Sequence, residues 1–573
     1  MAKLTKKQRR KLKKTKRAET KSRKLLKLAR REKEPKAWVA PKMKMFQFPS
    51  LVPPEMSREE RIELIRSIGA KARKDFDEKY PLIEKWFQEY DSLYLLSYCS
   101  RYFVAQIEGI DPEAFGKLEF YHHYLEIMQA FALRQPRNYE PKPLMQEGER
   151  LKKDMKEIGD LINIRLVDIP TDLKTDEEIH AYRLRTEMMT HTTAVRNWAY
   201  IHQMKRVSLD LSTLIRDDFK KVYGVDPVAL MELFFTLTYE RNDLLNEHAD
   251  KLRNIFRQAD YKDIISAYNN AFPKNDPIEG PGIDSIWEVA RKSKRNLTGM
   301  LLCHSDLRLE EIYSFKFEHA KSIISVKSDE GKLRSILDSL SYSFGDLKDA
   351  DIEHLILNNP IHKKPFIKID QETYYSAIWG IIPHLSLGIL EDLIWNNEDL
   401  RDKYSHIKSQ YLEEEIERIF KAGFPNAKVF RGSIWKDPTT GVIYENDLIV
   451  VIDTFAIIVE AKSALLTDPA KRGAPKRLFE TLKELLENPS EQALRFINHL
   501  TTDKKEHIFQ NKRGEKNKID TTKIDYYIPL GVTFSHLGSI GSNLKKIIEA
   551  KIVDKTLEEL APSINFTDLE TLF

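Results

Sequence analysis

The sequence predicts an α+β multidomain chain, in which a large, mostly α-helical N-terminal region precedes a C-terminal α/β domain with a mixed central sheet. Three observations lead there. Over residues 57–272, and again from 283 onward, apolar side chains recur at helical spacing with few strand signals. Near the C-terminus two β-branched, apolar runs, 448–452 and 455–459, flank Asp453-Thr454, as in a hairpin whose strands are buried on both faces. A length of 573 residues leads one to expect about two to four domains.

In chain order, residues 1–36 hold 18 Lys/Arg against 3 Glu, a net of +15, whereas the rest of the chain nets −10 within an overall +5. The basicity is therefore one short tail without an apolar stripe, expected to be disordered alone and suited to nucleic-acid phosphates. A solubilising or targeting tail is the competing reading. Residues 37–56 are a proline-bearing linker. Ser57, with Glu60 three residues on, opens the first helix through a capping box, and Thr175 with Glu178 opens another. Helical patterns cover 80–103, 117–133, 145–164, 176–204 and 228–256 in a domain over 57–272, with no repeat period. The run 273–282 (PKNDPIEGPG) breaks the helical region. Residues 283–398 form a second helical region with a small hairpin, 365–370 and 373–375, turning at Gln371-Glu372. The last domain, 399–573, follows from helices at 384–396 and 399–421. It carries strands at 427–434, 442–452 and 455–461, helices at 476–487 and 490–500, a strand at 525–534 and a closing helix at 541–552.

Composition excludes several classes. Two cysteines, Cys99 and Cys303, form no disulfide framework and fit a reducing compartment. No apolar run reaches a membrane-spanning length: the longest, 377–390, contains Pro383 and His384. No signal-peptide core is present, so a soluble, cytoplasmic protein without a membrane partner is expected. There is no phosphate-binding Gly-x4-Gly-Lys-Ser/Thr loop and no zinc signature.

The chemistry lies at the end of the hairpin. If Asp453-Thr454 is a two-residue loop, Ile452 faces Phe455, Asp447 faces Glu460 and Glu445 faces Lys462, which would let Glu445 pair with Lys462. Like charges directly opposed destabilise a sheet, so two carboxylates here call for a cation. Mg²⁺ (or Mn²⁺) suits oxygen ligands of this kind. The bland alternative is a set of solvated or mutually paired strand-end charges.

Asp447, twelve residues, Glu460, one residue and Lys462 resemble the PD-(D/E)xK superfamily of restriction-endonuclease-like nucleases. The segment 411–420, with Glu413, looks like that family's first helix. The segment 491–496, with Gln492, looks like the glutamine-bearing helix of some branches. Asn446 stands where the family name has proline, and the likeness covers about residues 400–535. It implies a restriction-endonuclease-like fold and an Mg²⁺-dependent endonuclease acting on nucleic acid, with DNA favoured over RNA. Asp447 and Glu460 would be metal ligands with the main-chain carbonyl of Ala461. Lys462 would orient water or stabilise charge at phosphorus, Glu413 would add an outer carboxylate, and Gln492 would position water or substrate. Lys471, Arg472, Lys476 and Arg477 follow the hairpin in a basic loop and are candidate phosphate contacts, with a solvated surface as the alternative. A prokaryotic role in defence against foreign nucleic acid suits the architecture by analogy of fold. A homo-oligomer or a partner subunit is compatible with it.

Two further readings compete. Arg196-Asn197, four residues and His202 match the Arg-Asn-x4-His signature of the helical, metal-independent HEPN ribonucleases, and Arg241-Asn242 with His248 is a looser echo. Otherwise the hairpin charges are structural and the chain is a non-catalytic nucleic-acid-binding scaffold.

Overall fold

The computed structural model describes residues 56–104, 120–140, 142–144, 147–258, 260–278, 288, 294–324 and 329–573. The basic tail, nearly all of the linker and part of 273–282 lie outside them. The chain divides into Met1–Arg61 and Ile62–Phe573. At the start of helix Arg58–Lys79 the capping box of Ser57 forms: its N–H donates to Glu60 Oε2 at 2.7 Å and its Oγ accepts from the Glu60 N–H at 3.2 Å.

The second unit is α+β. Its helical part follows the sequence pattern, with breaks where polar side chains cap. The 80–103 pattern is two α-helices, Pro81–Glu89 and Ser92–Cys99, because Asp91 turns its carboxylate to the Tyr94 N–H at 2.8 Å and starts a new helix, which a π-helical turn over Ser100–Val104 continues. Thr175 and Glu178 form the expected capping box. The 176–204 pattern also breaks, into Asp176–Ala194 and Ile201–Leu214. There Arg196 folds back and its guanidinium donates to the carbonyls of Thr192 (2.7 Å) and Thr193 (2.9 Å), ending the helix. The 365–375 hairpin is present as β3 and β4 of a four-stranded sheet: β1 (Ser314–Lys316), β2 (Ser341–Tyr342), β3 (Phe366–Lys368) and β4 (Thr373–Tyr375), in the order β1-β4-β3-β2. The two outer strands are too short to register as a pattern.

The C-terminal part is built on a mixed seven-stranded sheet. Its strands are β5 (Lys428–Lys436), β6 (Ile443–Ile452), β7 (Phe455–Lys462), β8 (Glu506–Gln510), β9 (Lys516–Asp520), β10 (Tyr526–Thr533) and β11 (Ser563–Asn565), in the order β11-β10-β7-β6-β5-β8-β9. β10 runs parallel to β7 and β11, and the other neighbours are antiparallel. Period-two alternation explains why β6 and β7 are apolar throughout. Leu448, Val450 and Val459 join the core that holds Leu412, Ile416 and Ile419 of helix Glu398–Gly423. Ile449, Ala456 and Ile458 pack with Ala493, Phe496 and Leu500 of helix Asn488–Thr502. The closing segment is broken at Asn543 into helices Ser539–Ser542 and Leu544–Glu549. Among the described residues, no helix is long and apolar enough to cross a membrane.

Candidate active site

The hairpin turn fixes the site's register. Asp453 adopts φ 50°, a conformation Asp tolerates and two-residue hairpin loops require. Ile452 pairs with Phe455, and the ladder runs to Leu448 opposite Val459. One step further the sheet forks. β6 continues along β5, with Asn446 opposite Ser433 and Glu445 opposite Ile434, while β7 continues along β10, with Glu460 opposite Gly531 and Lys462 opposite Thr533. Gly432, flanked by paired residues of β5, has φ 69°, a kink that a side chain would strain.

Side chains bridge the fork where backbone pairing stops. Asp447 Oδ2 accepts the Ala461 N–H at 2.7 Å. Asn446 Nδ2 donates to Glu460 Oε1 at 2.7 Å and to the Val459 carbonyl at 3.3 Å. The Lys462 carbonyl accepts from the Phe534 N–H at 2.9 Å, on the β10 side. Alternation along the strand therefore turns the Ala461 N–H and carbonyl the other way, toward Asp447. One notch thus collects Asp447, Glu460 and the Ala461 carbonyl.

Its electrostatics are those of crowded acids. Burial pushes the Glu460 carboxyl well above its usual range, with the neighbouring Asp447 charge adding to it. Burial also raises Asp447, against the Ala461 N–H and Lys462. Glu413, on helix Glu398–Gly423, is pushed up to about 7 by burial and then by the charges of Asp447 and Glu445. Lys462 offsets this cluster only in part: its charge draws both carboxyls down, but its Nζ donates to Gln492 Oε1 at 2.6 Å. The expected Glu445–Lys462 pair does not form. Because the strands diverge before these positions, Glu445 instead meets Lys512 at 2.5 Å.

Among the described residues, no group of three or more His, Cys, Asp and Glu side chains stands ready to hold a metal. The notch offers two such side chains and a main-chain carbonyl. The donor set still fits a divalent ion: all its donors are oxygens, and Lys462 offsets only part of the two carboxylates' burial and mutual repulsion.

The basic residues after the hairpin separate. Lys476 and Arg477 are exposed on helix Pro475–Leu482, Arg477 reaching Glu480 at 3.3 Å. Arg472 and Lys471 are half-buried, and Lys471 lines a cavity. Cations that sequence reasoning missed stand beside the acids. Lys512 and Arg513, in the β8–β9 turn, together with Glu413, Glu445 and Arg431 line a polar cleft of about 510 Å³. The available signal was the turn-forming run Asn511-Lys512-Arg513-Gly514, with Gly514 at φ 83°; the strand before it, Glu506–Gln510, shows no polar/apolar alternation in its sequence.

The competing signature is taken apart. Arg196 is half-buried in an ion pair with buried Glu126 at 2.7 Å, while His202 is exposed on the next helix. Arg241 donates to the Ile312 carbonyl at 3.1 Å, and His248 is buried near Asp306.

No family model, curated protein or solved structure matches the chain.

The raised Glu413 carboxyl gives a pH signature. A carboxyl raised on folding stabilises the protein fully below its unfolded value near 4.5, and that contribution is lost as pH rises toward about 7. Denaturant melts in EDTA are expected to show metal-free wild type weakening across this window, and Glu413→Gln flattening the change. A slope that Glu413→Gln leaves intact would assign it to other groups.

Proposed function

We propose that the chain is a divalent-metal-dependent nuclease that hydrolyses phosphodiester bonds in nucleic acid, with DNA favoured over RNA. The observation that supports this most is the fork in the sheet, where Asp447, Glu460 and the Ala461 carbonyl meet in one notch with Lys462 beside them on the same strand. In this reading Asp447, Glu460 and the Ala461 carbonyl would hold Mg²⁺ or Mn²⁺, which would supply an acidified water and neutralise phosphate charge. Lys462, steadied by Gln492, orients the water or stabilises charge at phosphorus. Glu413, with a pKa near 7, can exchange a proton at working pH. Lys512 and Arg513 at the cleft, with Lys476 and Arg477, supply phosphate contacts that position the strand without reading sequence. A cytoplasmic location and a role against foreign nucleic acid are part of the proposal, the latter by analogy of fold.

Incubating the protein with DNA and with RNA, in Mg²⁺ and in EDTA, tests the reading. Cleavage in Mg²⁺ that EDTA abolishes is expected. EDTA-resistant RNA cleavage would support a ribonuclease in the helical region, and binding without cleavage a scaffold.

The basic tail contributes affinity and no chemistry. Deleting residues 1–36 removes 18 cations. Binding should weaken, and the slope of log affinity against log salt should fall by roughly 0.9 for each phosphate that the tail had neutralised. Cleavage at saturating substrate should persist. Unchanged binding at both low and high salt would reject a nucleic-acid role for the tail.

A further inference from the structure

Away from the carboxylate notch, a cavity of about 290 Å³ lies among helix Asp176–Ala194, helix Ile382–Trp395, the segment after β7 and the segment after β10. Its volume is near the lower end of the range for small-molecule sites, roughly 300–1,000 Å³. The walls are mainly apolar, including Trp198, Leu385, Leu466 and Phe534.

The charges around it are nearly all paired outward. Arg196 is held by Glu126 at 2.7 Å. Lys363 lies between Asp392 and Asp468, at 2.8 Å from each. Glu391 accepts from Lys408 at 2.7 Å and from Tyr404 at 3.0 Å. Lys471 is the exception: its ammonium has no hydrogen bond and no ion pair among the described residues, and feels Asp468 and Glu391 only at a distance. Two imidazoles of the wall are also unsatisfied. His191 Nε2 and His384 Nδ1 are buried without a partner. Burial, then neighbouring positive groups, lowers both histidines to about 4, so each is neutral at pH 7 and can present an N–H by choice of tautomer. Buried polar groups are normally satisfied, and two unsatisfied imidazole nitrogens in the wall, with a half-buried ammonium that has no ion pair beside them, mark a place for a bound group. An ammonium and two N–H donors against an aromatic and aliphatic wall define its chemistry.

We propose that this cavity binds a small organic anion, its anionic head taken by Lys471 with His191 and His384, and its apolar body lying against Trp198, Leu385 and Phe534. The site is independent of the nuclease reading. Lys471 lies on the segment that leaves β7, nine residues after Lys462. Phosphate and carboxylate heads share the required chemistry, and the choice of probes separates them.

The test uses the full chain in EDTA, with thermal melts and calorimetry. The probes are inorganic phosphate, adenosine 5′-monophosphate, indole-3-acetate and uncharged adenosine. One of the two aromatic anions is expected to raise the melting temperature, and the one that does identifies the head. Adenosine should not raise it, and inorganic phosphate should act less than the monophosphate if the head is a phosphate. Lys471→Met should weaken binding about 10-fold or more, as loss of a charge-assisted hydrogen bond does. Without ligand this variant should melt no lower than wild type, since the ammonium it removes has no partner. His384→Phe, which keeps the wall filled, should weaken binding several-fold and serves if Lys471→Met does not fold. No stabilisation by any anion, equal binding by wild type and Lys471→Met, or a ligand-free Lys471→Met melting well below wild type would each overturn the proposal. None of these readouts depends on cleavage.

Discussion

Asp447→Ala and Glu460→Ala are each expected to reduce cleavage by about 10³-fold, on the scale of losing one strong electrostatic contribution to the transition state, and to weaken Mn²⁺ binding in calorimetry. Lys462→Ala should reduce cleavage comparably while leaving Mn²⁺ binding in place, because an ammonium ligates no cation and this one is held by Gln492. Stability gives an independent sign. Asp447 and Glu460 are both raised by burial, so without metal they stabilise the fold only where protonated. That contribution is full below their unfolded values and is lost as pH rises through the folded ones. Metal binding runs the opposite way, competing with protons and strengthening as pH rises. At neutral pH, wild type should gain about 2.7 kcal/mol when Mn²⁺ reaches roughly a hundred times its Kd, and the two carboxylate variants much less. The geometry refines the choice of variant. Asp447→Ala also strips the Ala461 N–H of its acceptor, a loss of about 1–3 kcal/mol. Asp447→Asn keeps an acceptor and removes the charge, so in EDTA it should melt at or above wild type. A wild type indifferent to divalent metal, with all these variants destabilised, would sink the nuclease reading.

The hairpin was legible where local rules decide it. A two-residue turn fixed the facing of Ile452 and Phe455, and the register held as far as Leu448 opposite Val459; the expected Asp447–Glu460 ladder pair does not form, because β6 leaves β7 there while β7 stays paired with β10. Lys462 and Gln492, 30 residues apart in sequence, do meet. What escaped was the tertiary bend. Opposition along an ideal ladder pairs Glu445 with Lys462, but the strands part at Asp447 and each charge finds a different partner. Lys512 comes from a hairpin and lies 67 residues beyond Glu445, and no spacing rule connects the two. The helical pattern over 176–204 failed for a similar reason. Arg196 has good helix propensity, yet buried Glu126 draws its guanidinium away from the helical path, and tertiary context overrides propensity. Lys471 reads as one of four cations in a surface loop, and only the packing of two helices over it shows that it faces a cavity.

Arg196 also carries the second large prediction, which separates its structural role from the ribonuclease signature it matches. Glu126 is 2% exposed, and burial alone would raise its carboxyl. Arg196, donating from two nitrogens at 2.7 and 3.1 Å, and His362 at 2.5 Å hold it below the usual range instead. Removing one partner of a buried pair leaves an uncompensated charge, so Arg196→Ala should lower stability by about 3–5 kcal/mol at neutral pH. A depressed carboxyl stabilises the fold above its unfolded value near 4.5, and that contribution is lost as pH falls through the folded one. The gap between wild type and Arg196→Ala should therefore be widest above pH 4.5 and narrow in acid, where the variant can protonate Glu126. His202 is exposed, and His202→Ala should shift stability by no more than about 0.5 kcal/mol and leave Mg²⁺-dependent cleavage intact. A catalytic Arg-Asn-x4-His site requires the opposite: both variants folded as stably as wild type and both inactive on RNA. Denaturant melts at pH 7.5 and well below pH 4.5, run beside cleavage assays on the same two proteins, decide between a buried charge clamp at the end of a helix and a second active site.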